Sequence, residues 1–562
     1  MTHSVHVHPA RRRVLAVLAA ALLTLALLPP SPAAADAPEA RGIDEACGAA
    51  DLEAIEFDDI GGFAEPTQDA IACLAAYEIT VGFGDGTYRP AEDVQRYQMA
   101  LFLTRLAEYV VSVTDLELPE EIPDAGFDDI DDLSDEAQGA INTLAALDIT
   151  QGTTEDTFSP NDTVTRRDLS SFLVRLQDVI EEGSYATDAE DVFADVPADL
   201  DRAGDINALA EQGIVGGGAD GTFDPFGNVR RAEMALFLMR HLDENVDAGR
   251  APAGFTSYEV ALSWLSVVDD SGDEPAYAAG EEGASGTLGL TVDLVNDGLV
   301  WNIDAYNVSA PQDVEPDEDT NLGPLHLHAA DVDATGPPVV VLGGADADFD
   351  TDDGVLSVSG TEDAEAVIDD DLTLVDLVTA PEGLYANLHT EQAPAGAVRG
   401  QLPTGQFDHL PDEVFDLSYE MTLTADAVVD GGDEGASGTL SLDLDGSAGE
   451  ADWALEADGL SSQPFDVEPD EDTNLGPFHI HTAMPGANGP PVVILGGAEA
   501  DFDFDDGAVS QSGTITAEDI LDEDLTVKGL AIAPHLFYAN LHTEEHPAGA
   551  IRGQLSDSVI VE

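Results

Sequence analysis

Two internal repetitions, one twofold and one threefold, constrain this chain more than any other feature. A segment that recurs must fold as a unit and bury its faces against its copies. The twofold one is literal: Asp313-Val314-Glu315-Pro316-Asp317-Glu318-Asp319-Thr320-Asn321-Leu322-Gly323-Pro324 returns letter for letter 153 positions later, from Asp466 to Pro477. The same offset relates His326 to His479, His328 to His481, Asn387 to Asn540, His389 to His542 and Arg399 to Arg552. The threefold one lies in residues 51–245. Phe57-Asp58-Asp59-Ile60, Phe127-Asp128-Asp129-Ile130 and Phe193-Ala194-Asp195-Val196 open its three units. Each opening leads to apolar residues at helical spacing, such as Ile71, Leu74 and Ala75, or Ile141, Leu144 and Ala145. A Gly-containing turn follows, then an aromatic residue and a proline (Pro90, Pro160, Pro225), and a second helix is expected to start near Arg96, Arg166 and Arg231. Prolines and arginines alike are 70 and then 65 residues apart.

From about residue 255 the pattern changes to period-two alternation with Gly, Asp and Pro turns, as in Gly286-Thr287-Leu288-Gly289-Leu290-Thr291-Val292. That alternation predicts strands. At 562 residues and ~100–200 residues per domain, three to five domains fit.

The charge narrows the partners. Eighteen Lys and Arg stand against 114 Asp and Glu, a formal net charge of −96. Nucleic acid and anionic lipid surfaces both require a basic face, so neither is expected as a partner. An acidic excess this uniform fits a halophilic setting, where salt screens self-repulsion, or a generally acidic proteome. The cations are unevenly placed: ten of the seventeen arginines fall between residues 51 and 245.

Arg11, Arg12 and Arg13 precede an apolar run from Val14 to Leu28 and a small-residue site at Ala33-Ala34-Ala35. This order predicts a secretory signal over residues 1–35, with no membrane span after its removal. The two cysteines, Cys47 and Cys73, lack metal or redox spacing. In an oxidising compartment they are expected to close a structural disulfide, with two thiols as the alternative.

The threefold segment resembles the S-layer homology (SLH) family. Its turns read Ile79-Thr80-Val81-Gly82-Phe83-Gly84-Asp85-Gly86-Thr87-Tyr88 and Ile214-Val215-Gly216-Gly217-Gly218-Ala219-Asp220-Gly221-Thr222-Phe223. The family's Thr-Arg-Ala-Glu signature becomes Gln95-Arg96-Tyr97-Gln98, Thr165-Arg166-Arg167-Asp168 and Arg230-Arg231-Ala232-Glu233. Repeat two departs from the pattern, with Asp156 where the others carry Gly86 and Gly221. The resemblance implies a pseudo-trimeric α-helical prism whose inter-repeat grooves hold secondary cell-wall polysaccharide, often carrying pyruvyl groups. Its expected contacts are Arg96, Arg166, Arg231, Gly82, Asp85, Gly152, Gly217 and Asp220. Guanidinium forks suit carboxylates and ring hydroxyls, and glycines let backbone N–H groups approach a sugar. The alternative for each arginine is to cap or pair with a neighbouring helix.

The duplicated segment resembles the CHRD domain, first noticed in chordin. The resemblance rests on His326-Leu327-His328, Gly336-Pro337-Pro338-Val339-Val340, Tyr385-Ala386-Asn387-Leu388-His389-Thr390, Pro394-Ala395-Gly396 and Arg399-Gly400-Gln401-Leu402, with their counterparts in the second copy. It implies a β-sandwich-like extracellular module. The expected organisation is thus a signal peptide (1–35), SLH repeats at 51–110, 121–178 and 187–245, CHRD domains at 255–403 and 415–556, and a linker at 404–414. The protein is expected to be secreted to the cell wall or S-layer of a bacterium, where other surface proteins are candidate partners. Leu402-Pro403-Thr404-Gly405 is internal and lacks the variable residue of a sortase signal, so noncovalent attachment is expected.

Residues i and i+2 of a strand share a face, so His326 and His328 point one way, as do Asn387 and His389. If those strands are neighbours, His326, His328 and His389, and likewise His479, His481 and His542, can converge on copper or zinc; a hydrogen-bonded polar cluster is the alternative. The His-x-His strand and later His are partly similar to copper/zinc superoxide dismutase, which needs more ligands than this sequence places here. With no nucleophile–base pair and no phosphate-cradling loop, catalysis is not expected and no cofactor is required. Asp346, Asp348, Asp350, Asp352 and Asp353 before Gly354, and Asp501, Asp503, Asp505 and Asp506 before Gly507, suggest calcium or a solvated acidic edge. Arg399 and Arg552, rare cations amid carboxylates, are expected to pair with an internal Asp or Glu or with a bound group.

Overall fold

Helical spacing in the front part and alternation in the rear become two kinds of body in the computed structural model. It describes residues 40–561, apart from 115, 117, 120, 188–191, 219, 270–274, 315–320, 345–348, 406, 468–474, 497–501, 503 and 523–524. The expected leader at 1–35 lies outside the described residues, as do Asp346, Asp348, Asp501 and Asp503 of the acidic runs.

The front part contains α1 (Asp44–Cys47), α2 (Glu65–Ala76), α3 (Arg96–Ser112), α4 (Asp135–Ala146), α5 (Arg166–Ile180), α6 (Ala203–Glu211) and α7 (Arg231–Asp247). The second helix of each repeat packs on the first helix of the next: α3 on α4, α5 on α6, and α7 back on α2. At the centre, Val94 N–H donates to Val229 O, Val229 N–H to Val164 O and Val164 N–H to Val94 O, each at 2.9 Å. This ring of three bonds closes the repeats on themselves, so no repeat has an open end. All three valines are fully buried. Cys47 and Cys73 are joined by a disulfide that ties α1 to α2. Among the described residues no helix is long and apolar enough to cross a membrane.

The first rear module is one curled antiparallel sheet built from β1 (Phe255–Ser263), β2 (Ser285–Asp293), β3 (Gly298–Tyr306), β4 (Leu325–Ala329), β5 (Pro338–Val341), β6 (Val355–Asp363), β7 (Leu384–Leu388) and β8 (Val398–Gln401), with helix α8 (Leu374–Thr379). The strand order is β5-β4-β7-β8-β1-β2-β3-β6. A single residue pair, Ser263 with Arg399, joins β1 to β8. At that seam the sheet folds over, which gives the sandwich-like closure from one sheet. The far edges meet where Val340 bridges Val367 and Gly343 N–H donates to Glu362 Oε1 at 2.8 Å. Alternation places Leu288, Leu290, Val292, Leu325, Leu327 and Leu388 in the core.

The second module repeats this with β9 (Ser418–Thr424), β10 (Ser437–Asp445), β11 (Glu450–Asp458), β12 (Phe478–Thr482), β13 (Pro491–Ile494), β14 (Phe504–Asp505), β15 (Ala508–Ile515), β16 (Phe537–Leu541) and β17 (Ile551–Gln554), and with helix α9 (Val527–Ile532). A further strand, β18 (Val559–Val561), pairs with β9 and carries the module past residue 556. Contacts link the bodies. The Tyr77 hydroxyl donates to Ala46 O and accepts from Gly254 N–H, so α2 holds the entry to β1. Between the β modules, the Tyr306 ring stacks on His535 and Asn307 Nδ2 donates to Ser556 O.

Candidate functional site

The three helix-starting arginines sit between repeats. Arg96 Nε donates to Phe158 O at 2.8 Å, Arg166 Nε to Phe223 O at 2.7 Å and Arg231 Nε to Tyr88 O at 2.7 Å. Each guanidinium also lies over the aromatic ring of that same residue, with Cζ 4.4–4.6 Å from the centroid. Every repeat therefore grips the turn of the next through one fork and one ring. Arg96 and Arg231 are only 9% and 3% exposed, whereas Arg166 opens onto a cleft and pairs with Glu233 at 3.0 Å.

The turns are held by carboxylates and hydroxyls. Asp59, Asp129 and Asp195 of the opening motifs each accept two backbone N–H bonds from the turn of their own repeat. Gly82 and Gly152 have positive φ, and a Cβ at either would lie within 2.5 Å of the Phe57 or Phe127 ring; at Gly217 it would lie 3.0 Å from the Phe193 ring. These glycines make room for the aromatic residue of their own repeat. Asp85 and Asp220 are exposed and accept from Thr87 and Thr222, bonds that hold both carboxyls below their ordinary range. In repeat two, Asp156 O still accepts from Asp128 N–H, and Thr153, Thr154, Thr157 and Ser159 close the turn through their hydroxyls.

The cleft between repeats two and three has a volume of about 720 Å³ and gathers Arg166, Arg230 and Arg240 beside Gly217 and Asn228, with the carboxylates of Asp93, Asp224 and Glu233 on its lining. Sequence reasoning missed Arg240. Its signal was present, since an arginine recurs nine residues into each second helix: Arg105, Arg175, Arg240. Arg105 and Arg175 donate to Ile79 O and Ile149 O of their own repeats. Arg240 Nε is buried and has no hydrogen-bond partner among the described residues.

The structure also brings the paired histidines together. In β4 and β7 His326 stands opposite Asn387 and His328 opposite Tyr385, on the face away from Leu325 and Leu327. That face is buried as well, covered by the loops that carry Leu322, Gly336 and Pro394. His326, His328 and His389 offer ring nitrogens that all lie within 4.8 Å of one another, and so do His479, His481 and His542. Each ring spends its other nitrogen on a carbonyl: His326 Nε2 on Leu322 O at 3.1 Å, His328 Nδ1 on Gly336 O at 2.9 Å, and His389 Nδ1 on Pro394 O at 3.0 Å. A carbonyl only accepts, so those nitrogens carry the protons and the tautomers are fixed. The second copy matches, with Leu475, Gly489 and Pro547 as acceptors. Burial pushes all six imidazoles below the ordinary range, His326 and His479 to about 3 and His328 and His481 to about 4.

Tyr385 stacks on His328, with ring centroids 5.0 Å apart, and carries the Arg399 guanidinium 3.6 Å from its own centroid. Arg399 donates to the carbonyls of Ala334 and Asp331 and to Gln401, partners that the sequence did not suggest. Arg552 repeats the stacking on Tyr538.

Comparison with known proteins agrees with this division. The S-layer homology domain matches residues 56–100, 126–169 and 192–235, and the CHRD domain matches 267–402 and 419–555. A cell surface protein of Thermoanaerobacter kivui is 31% identical over 143 residues, covering 25% of this chain and 17% of the relative. An amylopullulanase of Thermoanaerobacterium thermosulfurigenes is 26% identical over 179 residues, 32% of this chain and 9% of the relative. The outer membrane protein SlpA of Thermus thermophilus is 27% identical over 154 residues, 26% of this chain and 16% of the relative. The chain thus spans less than a fifth of each of these relatives. Three closed helical repeats followed by two duplicated β modules, each matched by its own domain family, show that the chain carries three S-layer homology repeats and two CHRD domains.

Proposed function

We propose that the protein is tethered noncovalently to the cell envelope by its SLH repeats, which hold an acidic wall polysaccharide, and that it carries the two CHRD modules as its surface-displayed part. The observation that carries this reading is the cleft between repeats two and three. It holds three guanidinium groups in a chain of net charge −96, and one of them, Arg240, has a buried Nε with no protein partner among the described residues. A fixed planar donor in a partly desolvated cleft suits a carboxylate on a sugar, such as a pyruvyl ketal. Arg166 lines the same cleft and exchanges Glu233 for the glycan. Arg96 and Arg231 serve by locking the repeats, which sets the width of the clefts.

The test is co-sedimentation of the full chain with purified wall fragments, before and after the attached polysaccharide is stripped. Binding is expected only before stripping, and Arg240→Gln is expected to weaken it without changing the melting temperature. Equal binding to stripped wall would overturn the reading.

A further inference from the structure

We infer that each CHRD module binds one transition-metal ion of the zinc or copper class. The ligands are His326 Nδ1, His328 Nε2 and His389 Nε2 in the first module, and His479 Nδ1, His481 Nε2 and His542 Nε2 in the second.

The argument rests on where the protons are. In each ring the outward nitrogen donates to a backbone carbonyl, so the inward nitrogen presents a lone pair. Three lone pairs converge in a buried space, and His328 Nε2 and His389 Nε2 are 3.3 Å apart. With no proton between them they repel, and a cation at the centre removes the repulsion. The spacing of that pair suits the ion: metal–nitrogen bonds of about 2.0–2.1 Å at tetrahedral angles put two ligand nitrogens about 3.3–3.4 Å apart. All three nitrogens of each triad lie within 4.8 Å of one another, a span that small ring rotations close. A ring that gives its one N–H to a carbonyl is the usual outer arrangement of a metal-bound histidine, because the carbonyl fixes the tautomer and the ring orientation.

A purely hydrogen-bonded cluster would place a donor against each inward nitrogen. His326 Nδ1, His479 Nδ1 and His481 Nε2 are buried with no such partner among the described residues. The nearest side-chain amide, Asn387 Nδ2, directs one N–H to Ala395 O at 3.1 Å and reaches His389 Nε2 only at the long distance of 3.5 Å. The second copy reproduces the geometry: ring centroids are 5.6, 5.3 and 5.5 Å apart in the first triad and 5.6, 5.3 and 5.6 Å in the second. An all-imidazole set selects zinc or copper over calcium and magnesium, which take oxygen ligands.

The inference does not depend on wall binding, and its test is separate. The full chain, stripped with chelator, is titrated with zinc chloride and in parallel with copper sulfate. Excess calcium and about 1 M sodium chloride are present to suppress loose binding to surface carboxylates. Two tightly held equivalents per chain are expected for at least one metal, one equivalent in His389→Gln, and none in His389→Gln/His542→Gln. A cobalt-loaded sample should show the visible bands of a low-coordinate nitrogen site, a readout on the unaltered chain that does not depend on how the variants fold. Less than one tight equivalent of both metals in the unaltered chain would overturn the inference. So would the same stoichiometry in a folded double variant.

Discussion

Arg231 Nε donates to the carbonyl oxygen of Tyr88 at 2.7 Å across 143 residues of chain, and its guanidinium lies over the Tyr88 ring. This contact closes repeat three onto repeat one, as Arg96 and Arg166 close the other two junctions. Arg231→Lys keeps the charge but loses the planar fork and the stacking. A hydrogen bond to a charged group contributes about 1.5–3 kcal/mol, so the helical part should lose about that much stability. Urea unfolding followed by helical circular dichroism checks it; an unchanged midpoint would mean that the junction is held without Arg231.

The disulfide between Cys47 and Cys73 closes a loop with a sequence separation of 26. A loop of that size restricts the unfolded chain by about 3–4 kcal/mol in the chain-entropy account. Reduction should lower the unfolding transition of the helical part and leave the β-module transition in place, as differential scanning calorimetry can resolve.

Much of this architecture was legible in the sequence because periodicity reports faces. The spacing of Arg96, Arg166 and Arg231 marked where the second helices begin, and α3, α5 and α7 start at those residues. Period two put His326 and His328 on one face, and β4 and β7 prove to be neighbours. Other features depend on contacts between distant segments, which periodicity does not report. Spacing could not say that Arg96 and Arg231 are buried between repeats, or that Arg240 opens into a cleft. Nor could it name the carbonyls of Leu322, Gly336 and Pro394 that orient the histidines. The Tyr385 ring as a partner of Arg399 escaped for the same reason, because scarcity of cations suggested a carboxylate while the fold supplied an aromatic face and two carbonyls.

His241 is fully buried on α7, its ring edge-on to Tyr185, and desolvation followed by the nearby Arg250 charge pushes it down to about 3. An unfolded histidine titrates near 6.5, so between those values the unfolded chain binds a proton that the folded chain excludes. The contribution is complete above about pH 6.5 and is lost as pH falls toward 3. Relative to His241→Leu, the native protein should lose about 2 kcal/mol between pH 6.5 and 5. Chemical unfolding at the two pH values checks this; parallel losses in both proteins would show that His241 protonates within the fold.

Asp445 and Glu450 face each other across β10 and β11 and are both exposed, and Asp443 and Asp452 repeat the clash one step along. Like charges directly opposite are destabilising, by about 0.2–1 kcal/mol for a cross-strand pair. Glu450→Lys should stabilise the second module at low salt by about that amount. The gain should fade toward 1 M salt, where the Debye length falls to about 3 Å. Melting curves across a salt series measure both effects, and a gain independent of salt would assign it to packing instead of charge.

The central claim, that the helical part holds the envelope through its inter-repeat clefts, is tested most directly by the amount of full chain that sediments with polysaccharide-bearing wall across a salt series. The account predicts saturable binding that is lost when the polysaccharide is removed and reduced at least several-fold by Arg240→Gln in a protein of unchanged stability. Full binding to bare wall, or equal binding by that variant at every salt concentration, would contradict it.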